Sequence, residues 1–279
     1  MPHSLKVYLA GPGVFLRDAK EFGRKKARVC GKHGLVAHYP TDNQHSIPEL
    51  LQTKGPRGAA LELSSDDERG MDECEVIIAD LTPCFSGLTT LKRLVKGDVW
   101  DKDTLLNCCP GLQQAFDKYP GLAELMIEFP EAGQLLTGQP DGGTVYELGY
   151  MVAKGRRKCG TDAPRVFAYS NSPLDYYTRL LIANGGTLPP RTEGEAANYV
   201  EEDINAMMVD RLDPTMHCNL MIDGAVIKSS GKVHTSTVAE TRQFLAQGRR
   251  NGTESGMYEY LGVFERAVQH AAQMLRRRT

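Results

Sequence analysis

No apolar run in this 279-residue chain reaches the ~20 residues that a helix needs to span a bilayer. A membrane-spanning helix is therefore not expected. Net charge is also nearly absent, at −2, so no global field favours nucleic acid or an anionic membrane surface. Arg276, Arg277 and Arg278 cluster near the C-terminus, where cations complement a helix dipole without needing a partner. No C-x-x-C pair occurs among the seven cysteines. An odd count in a chain of this size does not read as a disulfide framework. The adjacent Cys108 and Cys109 lack a second ligand pair for zinc. The phosphate-loop ending G-K-[ST] is missing, as is the G-x-S-x-G nucleophile elbow. GPGVFL carries Leu16 where a dinucleotide fingerprint needs its third glycine. His3, His33, His38 and His45 have no metal-ligand spacing. There are no internal repeats and no low-complexity tract. A strand starting near Lys6 leaves no room for a secretory leader, so the cytosol is the expected compartment. No metal or other cofactor is expected.

Hydrophobic residues make up 41% and charged residues 24%, enough apolar matter for one large core. KVYLAG (Lys6–Gly11), GLVAHYP (Gly34–Pro40), EVIIAD (Glu75–Asp80) and RVFAYS (Arg165–Ser170) read as strands. EVIIAD is apolar along its length, as in a parallel sheet covered on both faces. Helical spacing runs from about Leu16 to Lys32, then up to about Cys74, and again over Thr144–Lys154 with Gly155 as an expected C-cap. The alternation of strand and helix predicts an α/β fold: a Rossmann-like, doubly wound parallel sheet with right-handed crossovers. Residues 1–279 are read as a single domain. Residues 88–140 separate one strand from its helix and read as an inserted helical subdomain, with helical pieces at Asp103–Lys118 and Leu122–Phe129. A connection this long in a compact domain is unusual. It suits a lid, or a decoration or oligomer contact. Residues 231–279 form a C-terminal extension: after Asn219 a strand is expected, then helices near Val238–Gln247 and Tyr258–Arg277.

In an open parallel sheet, ligands bind at the carboxyl ends of the strands. YLAGPGVF (Tyr8–Phe15), YPTDNQ (Tyr39–Gln44) and DLTPCFSG (Asp80–Gly87) fall there, and the last leads through the insert to DGGTVYELGY. Asp141 precedes a helix, and capping through its oxygen would account for it. Glu147 is not so easily explained. Val145, Leu148, Met151 and Val152 should pack inward around it, and a buried unpaired carboxylate costs several kcal/mol. The helix N-terminus favours its ionised form, and the strand-end Tyr8 is a suitable phenol partner. An oriented, poorly hydrated carboxylate suits covalent attack on an electrophilic carbon. Without tertiary partners, an exposed Glu147 on a polar helix face is the other reading.

On YLAGPGVF, YPTDNQ, DDERGMDECEVIIADLTP, PDGGTVYELGY and CNLMIDG (Cys218–Gly224), in that order, the chain resembles the nucleoside 2-deoxyribosyltransferases. The motifs cover about 150 residues by the span of their elements, and the Asp-x5-Glu spacing is the most specific part. The resemblance implies a ping-pong exchange of the 2-deoxyribosyl group between nucleobases in nucleoside salvage, with no cofactor. It casts Glu147 as the nucleophile on C1′, Tyr8 as its orienting phenol, and Asp141 and Asp67 as the acids that protonate the departing base. Asp66 replaces Asp67 if the register differs by one. Substrate binding falls on Gly11 and Phe15 of the first loop, on Gln44, and on Asn219 and Met221, the last two reaching across from a neighbouring subunit. The partners implied are small-molecule 2′-deoxynucleosides, free nucleobases (purines among them) and further copies of the chain, at least a dimer. A deoxynucleoside or 5′-monophosphate N-glycosidic hydrolase is the alternative activity, although AGPGVF offers no hydroxyl for a phosphate. A non-catalytic nucleotide sensor is the alternative from another class.

Overall fold

A computed structural model of the protein describes residues 5–42, 47–84, 101–108, 112–129, 138–159, 166–183, 217–218, 220–230, 233–250 and 256–276. Five parallel strands form one sheet: β1 (Leu5–Ala10), β2 (Leu35–His38), β3 (Val76–Asp80), β4 (Val166–Ser170) and β5 (Val233–Thr235). Their spatial order is β2-β1-β3-β4-β5. Tyr8 pairs with His38 on one side and Ile77 on the other. The helices are α1 (Ala19–Lys32), α2 (Ile47–Asp72), α3 (Lys102–Cys108), α4 (Leu112–Lys118), α5 (Leu122–Glu128), α6 (Gly142–Cys159), α7 (Tyr176–Ala183), α8 (Leu220–Ser230), α9 (Val238–Arg250), α10 (Gly256–Glu259) and α11 (Gly262–Arg276). The fold is α/β, as expected from the strand and helix patterns.

The two-residue period of a strand sends its side chains to two different cores. Val7, Leu9, Val76, Ile78, Phe167 and Tyr169 pack with α1 and α11 on one face. Tyr8, Ala10, Ile77, Ala79, Val166 and Ala168 pack with α2, α6 and α8 on the other. Helix α11 buries Val263, Phe264, Ala267, Val268, Ala271 and Ala272, the stripe that a period of 3.6 produces. At about 25 cal/mol per Å² of apolar area, fully burying one such Phe or Val contributes about 1.5–3 kcal/mol. Residues 233–276 thus supply the fifth strand and a helix that covers the sheet.

Helix α2 is broken at Gly55, whose φ of 67° and ψ of 175° are not helical. Pro56 follows and opens the second segment, where its missing N–H costs nothing. Helix α6 begins earlier and ends later than Thr144–Lys154. Gly155 is buried inside it and does not cap it. A mid-helix glycine costs only about 1 kcal/mol, and neighbouring contacts outweigh that. One of them is Lys154, whose ammonium donates to the Met71 carbonyl at 2.6 Å and the Cys74 carbonyl at 3.0 Å, tying α6 to the end of α2. The chain after Cys218 also differs from expectation. It enters α8 before reaching β5, and Asp223 accepts the Cys218 N–H at 2.8 Å.

Helices α3 to α5, which lie between β3 and α6 in the chain, share a separate apolar core with α7 and α9, including Leu105, Phe116, Leu125, Phe129, Leu174 and Phe244. The Cys84 N–H donates to the Gln139 carbonyl at 3.0 Å, which brings the residues after β3 beside those before Asp141.

Candidate active site

Strand order places the switch in winding direction between β1 and β3, where open α/β sheets take their ligands. Tyr8 lies on β1 with its side chain on the face covered by α2 and α6. Asp67 comes from the last turns of α2 and Glu147 from the second turn of α6. The Tyr8 hydroxyl lies 2.8 Å from Glu147 Oε1 and 3.1 Å from Asp67 Oδ1. Three separate elements thus converge on one phenol.

Glu147 falls on the inward stripe of α6, with Thr144, Leu148, Met151 and Lys154 also buried. It is 9% exposed, so the alternative of a solvated polar-face glutamate does not hold. Burial pushes its pKa up, to about 8. The Tyr8 hydrogen bond pulls the other way, while the charges of Asp67 and Asp141 push it further up. The sequence reading expected the helix N-terminus to keep this carboxylate ionised. Desolvation outweighs that dipole, which is worth only about 0.3–1 kcal/mol at an exposed site and fades beyond the first turn. Burial, followed by the charges of Glu147 and Asp67, drives the Tyr8 phenol far above its ordinary value, so it stays a neutral donor.

Asp141 caps α6: its Oδ2 accepts the Thr144 N–H at 2.8 Å and the Thr144 hydroxyl at 3.1 Å. Of the two adjacent aspartates, Asp67 meets Tyr8, while Asp66 pairs with Arg69 on its own helix. Helical geometry turns neighbours by about 100°, and it is the half-buried Asp67 whose carboxylate reaches the strand. Gly11 packs against the end of β3. A Cβ built on it would sit 2.4 Å from Asp80 Cβ, and its φ is 149°. Phe15 is 68% exposed beside this loop, and Met221 is 83% exposed in the first turn of α8. Neither takes part in the hydrogen bonds around Tyr8. Gln44 and Asn219 lie outside the described residues.

Sequence reasoning missed the support beneath the first loop. Lys26 is 1% exposed with its ammonium 3.9 Å from Asp80 Oδ2. The rings of Phe22, Tyr39, Tyr169 and Phe264 surround it at 4.8–5.8 Å. Burial pulls the Lys26 pKa down and Asp80 opposes this. Asp80 also accepts from the Thr82 N–H at 3.0 Å and the Tyr169 hydroxyl at 2.7 Å. The available signal was Lys26 standing four residues after Phe22 and three before Val29, on the apolar face of α1. His38 was missed as well: its ring stacks on Tyr8, with centroids 5.6 Å apart. Among the described residues, no group of three or more His, Cys, Asp or Glu is arranged to hold a metal ion, and no helix is long and apolar enough to cross a membrane.

The family model described as "Nucleoside 2-deoxyribosyltransferase" matches residues 7–87. Over those residues the chain is similar to that family. The deoxyribosyltransferase match includes Tyr8, Gly11, Phe15, Gln44 and Asp67, and it stops where the long stretch before Asp141 and Glu147 begins. No curated protein matches the chain. A solved structure, "2-desoxiribosyltransferase from Leishmania mexicana", is similar at 18% identity and a TM-score of 0.36, over 68% of this chain and 75% of that one. Likeness at that level carries no argument about activity.

Proposed function

We propose that the protein transfers a 2-deoxyribosyl group between nucleobases through a covalent ester on Glu147. The observation that carries this reading is the buried Glu147 carboxyl held 2.8 Å from the hydroxyl of Tyr8, two residues before the end of β1. The family match over residues 7–87 supports it. In the first half-reaction a Glu147 oxygen bonds to C1′ as the C1′–N bond breaks. The bonding pair goes to the departing base, which takes up a proton from Asp67 or Asp141. A second base then attacks C1′ and displaces Glu147. Two inversions restore the original configuration, the logic of a retaining glycosidase.

The transition state carries positive charge on the sugar ring, and a 2-deoxy sugar lacks the hydroxyl that would withdraw electrons from it. An ionised Glu147 stabilises that cation in a water-poor site. Tyr8 fixes the carboxyl's orientation and His38 backs the Tyr8 ring. In this reading Gly11 and Phe15 of the first loop, together with Gln44, bind the substrate. In this reading Met221 and Asn219 belong to the site of a neighbouring subunit, which agrees with the exposure of Met221.

Mass spectrometry of the protein mixed with a deoxynucleoside tests the nucleophile. A deoxyribosyl adduct on the peptide containing Glu147 is expected, and an adduct elsewhere overturns the assignment. Incubation with deoxyinosine, with and without adenine, tests the reaction class. Transfer yields deoxyadenosine only when adenine is present; hydrolysis yields free sugar and hypoxanthine in both tubes.

A further inference from the structure

The Tyr8 hydroxyl contacts two carboxyl groups but owns one proton. It lies 2.8 Å from Glu147 Oε1 and 3.1 Å from Asp67 Oδ1. A phenol donates one hydrogen bond along its O–H and accepts through its lone pairs. If both carboxyls were ionised, one contact would set an anionic oxygen against the phenol oxygen with no proton between them. Two like charges bridged over so short a span, Glu147 buried and Asp67 half-buried, disfavour joint ionisation. Resting on the transferase reading above, we infer that Glu147, Tyr8 and Asp67 share one extra proton, which the free site stores and later delivers to the departing base.

The chain then has two arrangements of equal total charge. In one, Glu147 holds the extra proton and the phenol donates to Asp67. In the other, Asp67 donates its O–H to the phenol oxygen and the phenol donates to Glu147, which is ionised. Moving between them shifts one proton across each short contact and needs no exchange with water. The second arrangement is the reactive one: an anionic nucleophile on one side and a protonated acid on the other. When the sugar–base bond breaks, its electron pair takes the Asp67 proton, Asp67 becomes the carboxylate, and Glu147 becomes the ester. The second base returns its proton to Asp67 as it displaces Glu147, which restores the starting state.

The burial that raises Glu147 to about 8 agrees with a retained proton near neutrality. The other titratable or charged groups nearby are Asp141 on α6, whose charge adds to the same effect, Asp66 with Arg69 on α2, His38 on β2 stacked against Tyr8, and Tyr39, which senses the Glu147 charge. A proton shared in this way has an apparent pKa that belongs to the pair and not to either residue.

The two ways of holding the proton give opposite pH dependence. Suppose Glu147 alone carries it and must lose it to act. Activity then rises through about pH 8, the value to which burial pushes Glu147. If the proton is shared and is the one delivered, activity falls there. The assay is kcat/KM for deoxyadenosine, which in a ping-pong scheme reports only the first half-reaction. A fall above about pH 8 is the expected result, and a rise through that range overturns the proposal.

Infrared titration of the protonated-carboxyl C=O band gives a second readout that does not depend on turnover. The wild type should show one such carboxyl titrating near pH 8. Glu147→Gln should abolish the band. Asp67→Asn should move its midpoint down by about one pH unit or more, because a like charge is gone and the phenol now donates wholly to Glu147. An unmoved midpoint in Asp67→Asn, with native circular dichroism, refutes sharing. Absence of any Glu147 adduct would instead overturn the transferase reading and leave the infrared result standing.

Discussion

Replacing Glu147 by glutamine should make the protein more stable in alkali than in acid, relative to the wild type. Folding raises the Glu147 pKa from 4.5 to about 8. The native state therefore holds a proton that the unfolded chain releases across that window. Stability falls with rising pH wherever the native state binds more protons than the unfolded state. The contribution of this side chain is thus most favourable below about pH 4.5 and is lost as pH rises through about 8. The span is worth about 5 kcal/mol at roughly 1.4 kcal/mol per pH unit. That is an upper figure, since a buried site relaxes and admits water once charged. Glutamine is nearly isosteric, cannot ionise, and still offers an oxygen to the Tyr8 hydroxyl. Urea unfolding of the two proteins should give similar free energies near pH 5. By pH 9 the variant should be ahead by several kcal/mol, with the gap opening between about pH 5 and 8. The variant should also lack transferase activity, so a gain in stability accompanies a loss of function. A difference between the two proteins that stays flat from pH 5 to 9 would refute the buried, proton-holding glutamate.

Lys26→Met should cost about 3–5 kcal/mol in urea unfolding, because it leaves Asp80 buried without its cation. Lys26→Met combined with Asp80→Asn should recover much of that loss, and strictly additive effects would argue that the two do not interact. Gly11→Ala should destabilise by about 1–3 kcal/mol, since its Cβ meets Asp80 Cβ at 2.4 Å in a backbone conformation that favours glycine; chemical unfolding measures this. Asp141→Ala should cost about 1 kcal/mol as a lost helix cap. If Asp141 also protonates the base, kcat should fall by ten-fold or more, beyond what that stability change explains, and asparagine should restore stability without restoring kcat.

Most of the sheet could be read from local pattern. Lys6–Gly11, Glu75–Asp80 and Arg165–Ser170 each match an observed strand to within a residue at either end. Parallel strands covered on both faces are continuous apolar runs, and turn residues bound them. Glu147 was also legible as an anomaly, because it interrupts an inward stripe at helical spacing. Less was legible where composition is ambiguous. The apolar stretch after Cys218 forms a helix first, since short β-branched runs suit either state until neighbours choose between them. Gly155 looked like a helix end because a cap and a buried glycine share one local signature.

The order of residues along the chain determined which segments are strands, which face of α6 turns inward, and that an acid stands on that face. Those properties follow from periodicities of two and 3.6, which belong to the backbone. Only the tertiary structure decided that Asp67, and not Asp66, meets the Tyr8 hydroxyl, and that Lys26 lies beneath the first loop against Asp80. It also decided that burial raises the Glu147 pKa. Desolvation and like charge depend on what β1, α2 and α6 bring together across 139 positions of sequence between Tyr8 and Glu147, and no local pattern encodes that distance.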